Sequence, residues 1–206
     1  MKAAAYRLLY DNIHDFKTAA MYVESEIRRY GLRGDNFDAV PGMNGRTQHE
    51  MWLSMKTVSH FNLGTALELM LKLLLCIHKV PKAAIPRGSD GHNLSKLYAV
   101  VPEPCQKQLE STYQTCRRAL PELPPLIMFI NQESPTPTPP LPPDRPPNRG
   151  VTTLKGFFAY LDEDAVLWRK RYSWETVDQG NWHQYVDDIS VFEDLINRVM
   201  SDIERR

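Results

Sequence analysis

The chain has 206 residues, 42% of them hydrophobic, which is enough for a packed core and suits one domain carrying an insertion. Its 25 basic and 25 acidic side chains cancel. A neutral chain excludes wholesale electrostatic attraction to nucleic acid or anionic membrane, so any phosphate contact must be local.

The first predicted element is a long helix. Tyr6, Leu9, Ile13, Phe16, Ala20, Val23, Ile27 and Tyr30 recur at alternating spacings of three and four, which places them on one stripe. Glu24, Glu26, Arg28 and Arg29 are expected on its wetter sides. Arg7 and Asp11 interrupt the apolar character near the start, so a signal peptide is not expected. Gly31 and Gly34 stop the helix, and the Gly-, Asn- and Asp-rich segment from Asp35 to Thr47 reads as loop.

A second helix is predicted from Gln48 to His78. From Leu63 onward it is apolar nearly all round, which suits the centre of a domain. Glu68 and Lys72 interrupt that run four residues apart, in the favourable order for a helical ion pair. A charge buried alone is expensive, so the two should pair with each other or with a third group. The same interruption leaves the apolar run short of a membrane span, and a cytoplasmic protein without membrane association is expected. Pro81 and Pro86 end the pattern.

Asn93 to Val100 reads as a short third helix. Pro102 and Pro104 then fall where the first turn of a fourth begins, with Cys105, Leu109, Thr112, Cys116 and Leu120 as its buried side. The composition changes abruptly at Pro121, with 11 prolines in the 27 residues to Pro147. Proline lacks the amide hydrogen and fixes its own backbone, so an irregular, extended insertion is expected over residues 121–150, without helix or central strand. The helical pattern resumes from Val151 to Trp168. A last helix is predicted from Asn181, where Asn181 and Gln184 have capping-box spacing, with Trp182, Tyr185, Ile189, Phe192, Ile196, Val199 and Ile203 along one stripe. No segment shows strand alternation. The expected fold is all-α, an up-and-down bundle of about five helices forming a single domain over residues 1–206.

Cys76, Cys105 and Cys116 are odd in number and contain no Cys-x-x-Cys, so buried free thiols in a reducing compartment are expected. His49, His60 and His78 lack the local spacings of structural zinc sites, and neither a metal nor another cofactor is expected.

Three groups of residues carry chemistry. The first is Arg87-Gly-Ser-Asp-Gly-His92, running into Asn93-Leu94 and then Leu97-Tyr98. A histidine titrates near neutrality and suits proton transfer, while an arginine fork suits charge on a phosphate. Asp90 is placed to tune His92. The second is the Glu68–Lys72 pair. The third is Trp168-Arg169-Lys170-Arg171-Tyr172-Ser173-Trp174, whose cations and aromatics together suit a nucleotide or single-stranded nucleic acid.

Ala66-Leu67-Glu68 with Leu71-Lys72, then Gly91-His92-Asn93-Leu94 with Leu97-Tyr98, and finally Arg171-Tyr172, resemble the HEPN family, the helical domains named for nucleotide binding in higher eukaryotes and prokaryotes. The resemblance spans roughly Gln48 to Arg206, and the proline-rich insertion departs from the family's compact form. It implies a bundle of four or five helices, commonly a homodimer. It also implies one of two activities: a non-catalytic module that binds nucleotide or accompanies a nucleotidyltransferase, or a metal-independent ribonuclease of a toxin or defence system paired with an antitoxin. The nucleases carry an arginine, four to six residues, then a histidine, which Arg87 and His92 match. The same spacing recurs from Arg7 to His14. Because His92-Asn93-Leu94 resembles the signature that opens a middle helix in non-catalytic members, the leading expectation is a binding module. It would be lined by Arg87, His92, Asp90, Glu68, Lys72, Arg169, Arg171, Tyr172 and Trp174. Catalysis by Arg87 and His92 across a dimer is one alternative. A scaffold acting through the proline tract, where Pro140-Leu-Pro-Pro143-Asp-Arg145 suits an SH3-type groove, is another.

Overall fold

The computed structural model describes residues 2–33, 36, 38–42, 44–118, 126–129, 153–163, 182–185 and 189–205. They are predominantly helical, in agreement with an all-α chain. Contacts group the chain into two compact units, residues 1–85 and 86–206.

The first unit is a hairpin of two long helices, α1 (Lys2–Arg29) and α2 (Gln48–Ile77). The Tyr6 hydroxyl donates to the Cys76 carbonyl at 3.2 Å, and Glu24 meets Lys56 at 2.7 Å, so the two run antiparallel. Helix α1 ends at Gly31, whose φ of 61° is a left-handed conformation that side-chain-bearing residues rarely adopt. Helix α2 starts on a capping box missed in the sequence. The Thr47 hydroxyl accepts from the Glu50 amide at 3.2 Å, and the Glu50 carboxylate accepts from the Thr47 amide at 2.8 Å. Those bonds hold the Glu50 carboxyl below its usual range. The intervening loop closes with an isolated bridge between Ala39 and Thr47.

The expected apolar stripe of α1 is realised at Ile13, Ala20 and Ile27, all buried, whereas Tyr30 is 54% exposed. In α2, Leu63, Ala66, Leu67, Met70, Leu71 and Leu75 are fully shielded, as an all-round apolar helix requires. By length and composition α2 is also the one helix among the described residues long and apolar enough to cross a membrane, and 56% of its most apolar 18-residue window is buried within the protein.

The second unit holds a one-turn 3-10 helix (Gly88–His92), α3 (Leu94–Ala99), α4 (Glu103–Arg118), α5 (Leu154–Glu163) and α6 (Ile189–Glu204). Two adjacent phenylalanines of α5 face different neighbours. Phe157 stacks on Tyr113 of α4 at 5.3 Å between centroids, and Phe158 meets Tyr98 of α3 edge-on at 5.4 Å. Carboxylates tie the same elements end to side. Glu110 of α4 accepts from the Leu154 amide opening α5 at 2.8 Å, and Asp162 of α5 accepts from the Leu94 and Ser95 amides opening α3, each at 2.8 Å. Each carboxylate satisfies amides that a helix start leaves without intrahelical partners. Along α4, Cys105, Leu109, Tyr113 and Cys116 are buried. Tyr113 takes the inward position expected of Thr112, whose hydroxyl instead donates to the Gln108 carbonyl at 3.0 Å.

Two four-residue strands depart from the sequence reading. β1 (Leu126–Phe129) pairs antiparallel with β2 (Trp182–Tyr185), Leu126 opposite Tyr185 and Phe129 opposite Trp182. The pairing is confined to these eight residues: Leu126–Phe129 is a proline-free window inside the proline-rich region, and in a two-stranded ladder both strands are edges. Residues 182–185, expected inside the last helix, are therefore strand, and α6 begins at Ile189, where Val191, Leu195, Ile196, Val199 and Met200 are buried. The rest of the tract over residues 121–150 lies outside the described residues.

Candidate functional site

Arg87 to Tyr98 sits in the second unit and is built by its termini. Arg87 is extended (φ −132°), and Gly88 turns the chain at φ 59°, again the left-handed region. The 3-10 turn follows. Gly91 at its centre is buried, and a Cβ there would meet the Pro86 carbonyl oxygen at 3.1 Å, so the turn lies tightly on the strand of chain leading into it. Asn93 caps α3, its side-chain oxygen accepting from the Lys96 amide at 2.8 Å. Leu94, Leu97 and Tyr98 are buried and anchor the segment. Tyr98 donates to the Gln106 carbonyl at 3.3 Å; burial, reinforced by the charges of Glu110 and Cys105, pushes its hydroxyl up to about 12.

This scaffold leaves Arg87, Ser89, Asp90 and His92 exposed. Asp90, expected to tune His92, is instead paired with Lys96 at 2.6 Å. The amides at the start of α3 face Asp162 and Asn93, so that helix start already has its acceptors. His92 closes the 3-10 turn, and the helix opens one residue later. A cationic, donor-rich loop on a rigid mount can hold an anion from one side.

Glu68 and Lys72 belong to the first unit. They form the expected ion pair along α2, with the Glu68 side chain 5% exposed and the Lys72 side chain 29% exposed, so the lysine leads the pair outward. Arg169, Arg171, Tyr172 and Trp174 lie outside the described residues. Among the described residues no cluster of three or more His, Cys, Asp or Glu side chains suits a metal ion. Cys76, Cys105 and Cys116 are free thiols, the last two buried.

No protein-family model, characterised protein or solved structure matches the chain.

The most buried ion pair among the described residues was missed by sequence reasoning. Glu24, expected on a wet face of the first helix, is 4% exposed and lies 2.7 Å from the ammonium of Lys56, which is 6% exposed. Lys56 also lies 5.9 Å from the centroid of the Trp52 ring, and the His60 Nδ1 is 2.7 Å from the Lys56 carbonyl oxygen. The Glu24 Oε1 and the hydroxyl of fully buried Ser59 have no hydrogen-bond partner among the described residues. A signal existed. Glu24 falls four residues after Ala20 and three before Ile27, and Lys56 lies midway between Trp52 and His60, so both sit on buried stripes.

Proposed function

We propose that the chain is a HEPN-like helical binding module without catalytic activity, taking the phosphate of a nucleotide or RNA at the Arg87–His92 loop. One observation carries this reading: Arg87 and His92 stand exposed at the two ends of a single rigid turn, while Asp90 between them is engaged by Lys96. Arginine offers a planar fork for phosphate oxygens, and the histidine ring adds a second hydrogen-bonding group. A general acid–base pair would be better served by Asp90 orienting His92, which the Asp90–Lys96 contact opposes. In this proposal the protein acts as a homodimer in the cytoplasm, Arg169, Arg171, Tyr172 and Trp174 add stacking and charge, and the biological partner is a nucleotidyltransferase or an antitoxin.

The test is to incubate the protein with single-stranded RNA in excess chelator and follow both binding and strand length. Binding without cleavage, weakened in Arg87→Ala, is expected. Cleavage that disappears in His92→Ala would replace this reading with a metal-independent ribonuclease.

A further inference from the structure

A second polar surface lies elsewhere in the second unit, along the groove between α4 and α6. The groove has a volume of about 330 Å³ and is lined by Ser111, Thr112 and Thr115 of α4 and by Asn197, Arg198, Ser201, Asp202 and Arg205 of α6. No lining residue is apolar or aromatic. That is unusual, since small-molecule pockets are predominantly apolar with a few placed polar groups. The buried seam of the two helices, including Leu109, Tyr113, Ile196 and Val199, supplies the packing.

The groove's charges are arranged and partly fixed. Asp202 accepts from Gln108 of α4 at 3.0 Å through one oxygen and from Arg205 at 3.0 Å through the other. The Arg205 Nε also donates to the Ser201 carbonyl at 3.1 Å, so its guanidinium is oriented by two contacts. Arg198 stands two helical turns earlier, roughly 10 Å along the axis, within reach of the same space. Its guanidinium also interacts with the buried Cys116 thiol and opposes the upward push that burial gives that group. With two arginines and one aspartate the lining carries a net positive charge. Thr112 and Thr115 spend their hydroxyl hydrogens on the Gln108 and Ser111 carbonyls, at 3.0 and 2.9 Å, which leaves their oxygens as acceptors. Asn197 adds an amide that can both donate and accept.

We propose that this groove binds a phosphorylated polyol of the sugar-phosphate class. Arg198 and Arg205 take the phosphate, and the threonine, serine and asparagine side chains exchange hydrogen bonds with the sugar hydroxyls. The missing aromatic and apolar lining speaks against a base, which would need a stacking face. This proposal goes beyond the Arg87–His92 reading and stands without it.

Ribose 5-phosphate, ribose, inorganic phosphate and AMP are the probes, titrated calorimetrically into the full chain. Saturable binding of ribose 5-phosphate is expected, with ribose and inorganic phosphate each about tenfold weaker or more, because each loses one half of the contacts. Arg198→Gln and Arg205→Gln should each weaken ribose 5-phosphate about tenfold while leaving the circular dichroism spectrum unchanged. Arg87→Ala and His92→Ala should leave it as in wild type, which separates this site from the loop. The proposal is overturned by absence of saturable binding, by binding that survives both arginine substitutions, or by loss of binding in the loop variants. AMP binding about tenfold tighter than ribose 5-phosphate by the doubly substituted Arg87→Ala, His92→Ala protein would also overturn it, by revealing a base contact in the groove.

Discussion

Replacing Lys56 with methionine tests the buried pair most severely. The Lys56 ammonium lies 2.7 Å from Glu24, and the two side chains are 8% and 5% exposed. At that separation the Coulomb attraction is about 6 kcal/mol for an effective dielectric near 20. Desolvating each ion costs several kcal/mol, so the intact pair contributes little net stability. The substitution removes the attraction but keeps Glu24 buried. Because the Glu24 Oε1 already has no partner among the described residues, the carboxylate would then lose its one ion-pair contact as well. Lys56→Met should therefore cost about 3–5 kcal/mol. With a urea dependence of about 2 kcal/mol per molar, the midpoint falls by roughly 1.5–2.5 M. Urea unfolding followed by circular dichroism provides the measurement. The double variant Glu24→Leu, Lys56→Met should return to within about 1 kcal/mol of wild type or exceed it, because no unpaired charge is left buried at that site. A single-variant cost below about 1 kcal/mol, the scale of a solvated pair, would refute the reasoning. So would a double variant no more stable than the single.

Three further outcomes follow from the contacts of the helix ends and of Tyr98. Asp162→Ala should destabilise the protein by about 2 kcal/mol, since the Leu94 and Ser95 amides lose their acceptor together; amide hydrogen exchange should accelerate first at those two residues. Thr47→Ala should cost about 1 kcal/mol by removing the cap of α2. The Glu50 half of that box has a carboxyl held below the usual value of 4.5, so its contribution is present above about that pH and is lost as pH falls through the lower folded value. An acid titration of stability should therefore be flatter in Thr47→Ala. Tyr98 is pushed up to about 12 from 10.0, so its contribution is complete below pH 10 and fades as pH rises toward 12. Ultraviolet titration should show a late tyrosinate step that Tyr98→Phe removes; a complete titration near pH 10 in wild type contradicts the burial argument.

Elements whose signal is periodic or local were legible in the sequence. The three-and-four spacing from Tyr6 to Tyr30 marks α1, and the all-round apolar run beyond Leu63 marks the buried half of α2. Glu68 and Lys72 pair along one helix because four residues bring them to the same face. Contacts set by partners distant in sequence were less legible. Glu24 was assigned to a wet face because of its charge, yet its place beside Ala20 and Ile27 binds it to Lys56 across the hairpin. Asp162 carries no local mark of its role, since the amides it holds lie 67 and 68 residues away. The start of the last helix was misread because Trp182 and Tyr185 extend its three-and-four stripe, while pairing with Leu126–Phe129 makes that stretch a strand. At the candidate site, the sequence marks Arg87 and His92 by type and spacing. The engagement of Asp90 by Lys96 depends on how the 3-10 turn meets α3, and spacing alone does not encode that.

The central claim concerns the loop from Arg87 to Lys96. Backbone amide spectra of isotopically labelled protein, recorded while a short single-stranded RNA is titrated in chelator, test it directly. The proposed reading predicts progressive, saturable shifts at Gly88, Gly91, His92 and Lys96, a weaker response in Arg87→Ala, and RNA of unchanged length afterwards. Unmoved resonances across that turn at saturating RNA, or RNA shortened by wild type and spared by His92→Ala, would contradict it.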